Sequence, residues 1–75
     1  MPIEVECYAG YRGGEEPRAV RIGGRQIEIM AVRRRWIEPG MRCFEVHAYD
    51  GSVLTLRRSE RSGDWELVSE RPAGL

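Results

Sequence analysis

The sequence predicts an all-β domain: a small antiparallel meander of about five or six strands, curled into a barrel or a strongly bent sheet. Three observations carry this expectation. Apolar residues recur at every second position along most of the chain, and glycine-containing turn signals punctuate the alternating segments. No window longer than about ten residues repeats apolar residues at the i, i+3, i+4, i+7 spacing of a helix. The chain has 75 residues, enough for one core and too few for two. Residues 1–69 are therefore read as one β-domain, and 70–75, the patternless Glu-Arg-Pro-Ala-Gly-Leu, as a flexible C-terminal tail.

The elements follow in order. Ile3, Val5 and Cys7 share one face of a first strand, with Glu4, Glu6 and Tyr8 on the other. After a glycine-rich stretch, Arg18 to Ile22 form a short second strand with Val20 and Ile22 in phase, and Gly23-Gly24 supply a two-residue hairpin turn. Ile27 and Ile29 resume the alternation. The apolar phase then shifts by one residue to Met30, Val32 and Trp36, which predicts a bulge or sharp bend inside a long strand. Pro39-Gly40 end it. Phe44, Val46 and Ala48 alternate along the next strand, Asp50-Gly51 mark a hairpin, and Leu54 and Leu56 lie on the return. Ser62-Gly63-Asp64 form a further turn before Trp65 and Leu67. The expected core takes Ile3, Val5, Val20, Ile22, Ile27, Ile29 and Val32, then Trp36, Phe44, Val46, Leu54, Leu56, Trp65 and Leu67. Six strands joined by tight turns have the size of an SH3-like barrel.

Composition narrows the function classes. All 12 basic residues are arginine, ten of the 12 acids are glutamate, and the formal net charge is zero. Non-specific nucleic-acid binders carry a basic excess, so a neutral chain argues against that class while leaving room for a local basic patch. Two cysteines, Cys7 and Cys43, are too few for a disulfide scaffold and are expected as buried thiols in a reducing cytoplasm. No apolar run approaches the ~20 residues of a membrane helix, so no membrane partner is expected.

Catalytic constellations do not emerge. His47 and Cys43 lie on one strand face but about 13 Å apart at the rise of a β-strand, too far for a nucleophile and its base. Zinc would need four ligands where the sequence offers no Cys-x-x-Cys pair, and no cofactor is expected. Ala9 to Pro17 are rich in glycine but lack a P-loop ending and carry Glu15-Glu16, which repel phosphate. Tyr8 and Tyr11, with Arg12, form a candidate contact surface at the mouth of that loop. Asp50 and Asp64 stand beside glycines, where turn chemistry accounts for them.

Arg33-Arg34-Arg35-Trp36 is the one concentrated feature. The apolar phase places Arg33 and Arg35 outward and leaves Arg34 inward, in need of the bulge, a barrel end or an acidic partner. Arg42, Arg57 and Arg58 on following strands extend an arginine surface, and Tyr49 adds an aromatic ring of the kind on which single-stranded nucleic acid stacks. The plainer alternative pairs these arginines across strands with Glu38, Glu45, Glu60 and Glu66. Candidate binding residues are thus Arg33, Arg35, Arg42, Arg57, Tyr49, Tyr8, Tyr11 and Arg12.

The run from Arg35-Trp36 through Pro39-Gly40, Arg42-Cys43-Phe44-Glu45-Val46, Asp50-Gly51 and Leu56-Arg57-Arg58 to Gly63-Asp64-Trp65-Glu66-Leu67-Val68 resembles an uncharacterised small bacterial β-domain family. That family occurs in short stand-alone proteins and at the tails of some error-prone, polymerase-like proteins of the Y family. The resemblance covers roughly residues 18–68, and Tyr8 to Pro17 resemble the stand-alone members. It implies a β-rich accessory module near DNA metabolism and carries over no catalytic residue. The expected function is a non-enzymatic protein-binding or adaptor module in the cytoplasm. The alternatives are weak single-stranded nucleic-acid binding through the arginine face, and a structural domain that homodimerises.

Overall fold

The computed structural model describes residues 2–8 and 16–73, and every regular element among them is a strand. These are β1 (Pro2–Cys7), β2 (Pro17–Ile22), β3 (Arg25–Glu38), β4 (Met41–Ala48), β5 (Val53–Ser59) and β6 (Trp65–Arg71). Each pairs antiparallel with the next, and β1 returns to β6 to close a barrel in the order β1-β2-β3-β4-β5-β6. The all-β meander expected from the alternation is thus what forms, and it closes. Closure itself is short, resting on Pro2 opposite Glu66 and Ile3 opposite Trp65. Among the described residues no helix is long and apolar enough to cross a membrane.

β6 runs to Arg71, past the boundary drawn at residue 69. Leu54 pairs with Glu70 and Val53 with Arg71, so these two residues belong to the barrel. An ion pair from Arg25 to Glu70 at 3.1 Å fastens the end of β6 to the start of β3. The sequence pattern missed this because the register shifts between Leu67 and Ser69, which turns Glu70 to the face of its partner Leu54 against the alternation set by Trp65 and Leu67.

Turn chemistry sets the register. Gly23-Gly24 and Pro39-Gly40 each form a two-residue loop, closed by Ile22 opposite Arg25 and by Glu38 opposite Met41. The Asp50-Gly51 hairpin is wider. Ala48 N–H donates to the Ser52 carbonyl at 2.9 Å, and Asp50 Oδ1 accepts from the Ser52 amide at 2.8 Å and its hydroxyl at 2.5 Å. The aspartate side chain here does the work of a backbone turn. Gly51 has φ +91°, and a Cβ there would lie 3.2 Å from that of Ala73, so this position takes glycine for both reasons.

The two Ser52 hydrogen bonds hold the Asp50 carboxyl below its ordinary range. A carboxylate whose folded pKa is depressed adds stability above its unfolded pKa and loses it as pH falls through the folded value. Thermal melts should therefore show the wild type losing stability as pH drops below about 4, the ordinary aspartate range. Asp50→Ala should melt lower at pH 7 and lose less on acidification. Parallel pH profiles for the two proteins would remove this role.

The core gathers Val20, Ile22, Ile27, Ile29, Phe44, Val46, Ala48, Leu54 and Leu56, with Ile3, Val5, Val32, Trp65 and Leu67 packed against it. Every expected core residue is in this set except Trp36. The reason lies in β3, whose 14 residues pair first with β2, as far as Glu28, and then from Ile29 with β4. The expected phase shift is a real bulge, with Met30 as the extra residue between the Ile29–Ala48 and Ala31–His47 pairs. A second bulge follows at once. Arg33 is skipped between Val32 opposite Val46 and Arg34 opposite Glu45. It reverses the faces of everything beyond it.

Candidate functional site at the barrel mouth

Directly opposed residues on paired strands share a face. Beyond the second bulge, Arg34 and Trp36 therefore share the outer face with Glu45 and Cys43, whereas Arg35 and Ile37 share the inner face with Phe44 and Arg42. This corrects the sequence reading, which placed Arg33 and Arg35 outward, Arg34 inward and Trp36 in the core. Trp36 instead lies on the outer face under the Arg34 guanidinium, 5.3 Å from the ring centroid, and its indole N–H donates to Glu38 at 2.9 Å.

The inner face past the core forms the mouth. One cross-strand row runs Ile37, Arg42, Arg58, Trp65 and Ile3 over β3, β4, β5, β6 and β1. The row below it runs from the exposed Arg35 into the last layer of the core, Phe44, Leu56 and Leu67. Trp65 joins the two, its ring 5.4 Å from that of Phe44. Three arginines on three neighbouring strands thus converge at one end of the barrel.

Arg35 and Arg42 meet carboxylates that come from loops. Arg35 pairs with Glu16, whose side chain is only 14% exposed, and Tyr8 N–H donates to the Glu16 carbonyl at 3.1 Å. Arg42 Nε reaches Glu60 Oε2 at 3.3 Å, with both side chains nearly half exposed. The Glu60 amide donates to the Gly40 carbonyl at 2.9 Å, so the β5–β6 turn is tied to the β3–β4 turn. Arg58 is half-buried and reaches the same β5–β6 turn, its Nη2 lying 3.5 Å from where a Cβ on Gly63 would be. Ile37 is 72% exposed beside these charges.

The other candidates scatter. Arg57 is on the outer face, opposite Cys43, and forks onto the Glu66 carboxylate. That hydrogen bond and its charge depress the Glu66 pKa and raise that of Arg57. Arg33 is the exposed bulge residue and makes no ion pair with another described residue. Tyr49 is 73% exposed but follows β4, at the opposite end from Arg42. Tyr8 is exposed, with Arg18 over its ring at 5.9 Å. Tyr11 and Arg12 lie outside the described residues. The single arginine–aromatic face expected of Arg33, Arg35, Arg42, Arg57 and Tyr49 is therefore divided between two faces and two ends. The structure does bring the Tyr8 loop and the arginine run together, through Glu16 and Arg35.

Ile37, Glu16 and Trp65 were not among the candidates, and Arg58 was named on the arginine surface but not as a candidate binding residue. Their signal was present: Arg42 stands two residues before Phe44 and Arg58 two after Leu56, both in the inward phase. Cys7 and Cys43 form no disulfide, and burial, aided by Glu38, raises the Cys43 pKa. Among the described residues no three His, Cys, Asp or Glu side chains gather closely enough to hold a metal ion. No protein-family model, curated protein or solved structure matches the chain.

Proposed function

We propose that the protein is a non-enzymatic protein-binding module whose recognition surface is the barrel mouth. The observation that carries this reading is the row of Ile37, Arg42 and Arg58 on adjacent strands, with two arginines directly opposed. Like charges directly opposite one another destabilise a sheet, and an exposed isoleucine beside them gains nothing from water. A partner that covers the mouth takes Ile37 out of water and brings its own groups to the two arginines. Protein suits it better than nucleic acid, because the chain carries no net charge, whereas nucleic-acid binders carry a basic excess. The accessory role implied by the resemblance to tails of Y-family polymerase-like proteins belongs to this proposal, with such a protein as one class of partner.

A photo-crosslinking residue installed at Ile37, in cells of the native host, should give a discrete protein adduct that Arg42→Glu abolishes. The same residue at Tyr49 should not give it. A nucleic-acid adduct at position 37 would favour the single-stranded nucleic-acid reading, and an adduct of twice the chain mass would favour the homodimer.

A further inference from the structure

The mouth also indicates what kind of segment it takes. We propose that it binds an extended acidic segment of a protein partner, with carboxylates on Arg42 and Arg58 and an apolar side chain on Ile37, and that Glu60 occupies the Arg42 position in the free protein. This rests on the reading of the mouth as a protein-binding surface and adds the chemistry of the ligand.

Three observations support it. Arg42 and Arg58 are directly opposed across β4 and β5, so their side chains leave the sheet about 5 Å apart. Two carboxylates on alternate residues of an extended chain stand about 7 Å apart, within the reach of two long guanidinium side chains. Ile37 lies next in the same row beyond Arg42, so an apolar residue two positions before the first carboxylate falls on it. Second, the partners that these strands already show are carboxylates, which the guanidinium fork fits in a planar, bidentate manner. Third, the Arg42–Glu60 pair is nearly half exposed on both sides and spans 3.3 Å from a single nitrogen, so an incoming carboxylate can replace it at little cost. Glu16 is different. It is 14% exposed and its backbone is bonded to Tyr8, so it stays in place as the wall of the mouth.

The pattern sought in a partner is apolar–x–acidic–x–acidic. Fluorescence anisotropy with labelled Leu-Ser-Glu-Ser-Glu at low salt tests it, beside Leu-Ser-Gln-Ser-Gln and a ten-nucleotide oligothymidine. The acidic peptide should bind saturably and weaken at 0.3 M salt, to about tenfold or worse. Arg42→Glu should weaken it at least about tenfold, a charge-pair loss of ordinary size. Glu60→Gln should tighten it by roughly two- to fivefold, the worth of one exposed ion pair, a gain that misfolding cannot produce. Arg57→Glu, on the outer face, should leave it unchanged. Equal binding of the glutamine peptide, weaker binding by Glu60→Gln, or no saturation with the acidic peptide would each overturn the proposal. If the position-37 crosslink still captures a protein in that case, the binding module survives and only its acidic ligand is wrong. Binding of the oligothymidine alone overturns both.

Discussion

Leu56→Ala should lower the stability of this protein by about 2–5 kcal/mol, the range for deleting a buried leucine and leaving a cavity. Leu56 is fully buried and sits in the row between Phe44 and Leu67, so no neighbour can move in from solvent to fill the space. A domain of 75 residues commands only about 4–11 kcal/mol in total, at the usual stability per residue. The substitution therefore removes a large fraction of it. Urea denaturation followed by tryptophan fluorescence reads the result as a lower midpoint at unchanged slope. A loss under about 1 kcal/mol would mean that the barrel interior is not packed at Leu56 as a core residue requires.

The second large effect separates the two tryptophans. Trp65→Ala should cost about 3 kcal/mol, near the lower end for a core aromatic because the ring is only half-buried. It removes the tilted ring contact with Phe44 and the side chain that closes the barrel opposite Ile3. Trp36→Ala should cost about 1 kcal/mol, since it gives up an exposed cation–π contact with Arg34 and a hydrogen bond to Glu38. The ranking tests the Arg33 bulge directly: without it, Trp36 would face the core and the two losses would be similar. Urea midpoints of the two variants decide the matter.

That bulge also marks how far the sequence could be read. Alternation is a local signal, and it located β1, β2, β4, β5 and nearly all of the core, because the apolar residues that mark each of those strands keep one phase along it. In β3 the apolar residues announced the first bulge, since Ile29 and Val32 are both inward and sit an odd number of positions apart. Nothing announced the second. Between Val32 and the end of the strand the only strongly apolar residues are Trp36 and Ile37, adjacent and so on opposite faces, and the larger one was taken as core. Ile37 was the inward one, but it lies beyond the core and is exposed. The site suffered for the same reason. Arg35 and Arg42 were recognised, but with the faces inverted they were grouped with Arg33, Arg57 and Tyr49, and Glu16 was left out. Which carboxylate meets which arginine depends on loops that return over the barrel, and no periodicity encodes that.

The short closure between β1 and β6 has a consequence for how the molecule assembles. Every other strand pairing joins neighbours in the chain, so each forms by closing a small loop at low entropic cost. The β1–β6 seam alone asks the two ends of the chain to find each other, and it offers only two residue pairs in return. The hairpins from β2 to β6 can therefore order first, with the seam zipped last. The same seam is the cheapest place for the native barrel to come apart. Because Trp65 and Ile3 end the row that lines the mouth, such an opening loosens one wall of the proposed binding surface while β3 and β4, which carry Ile37 and Arg42, stay paired.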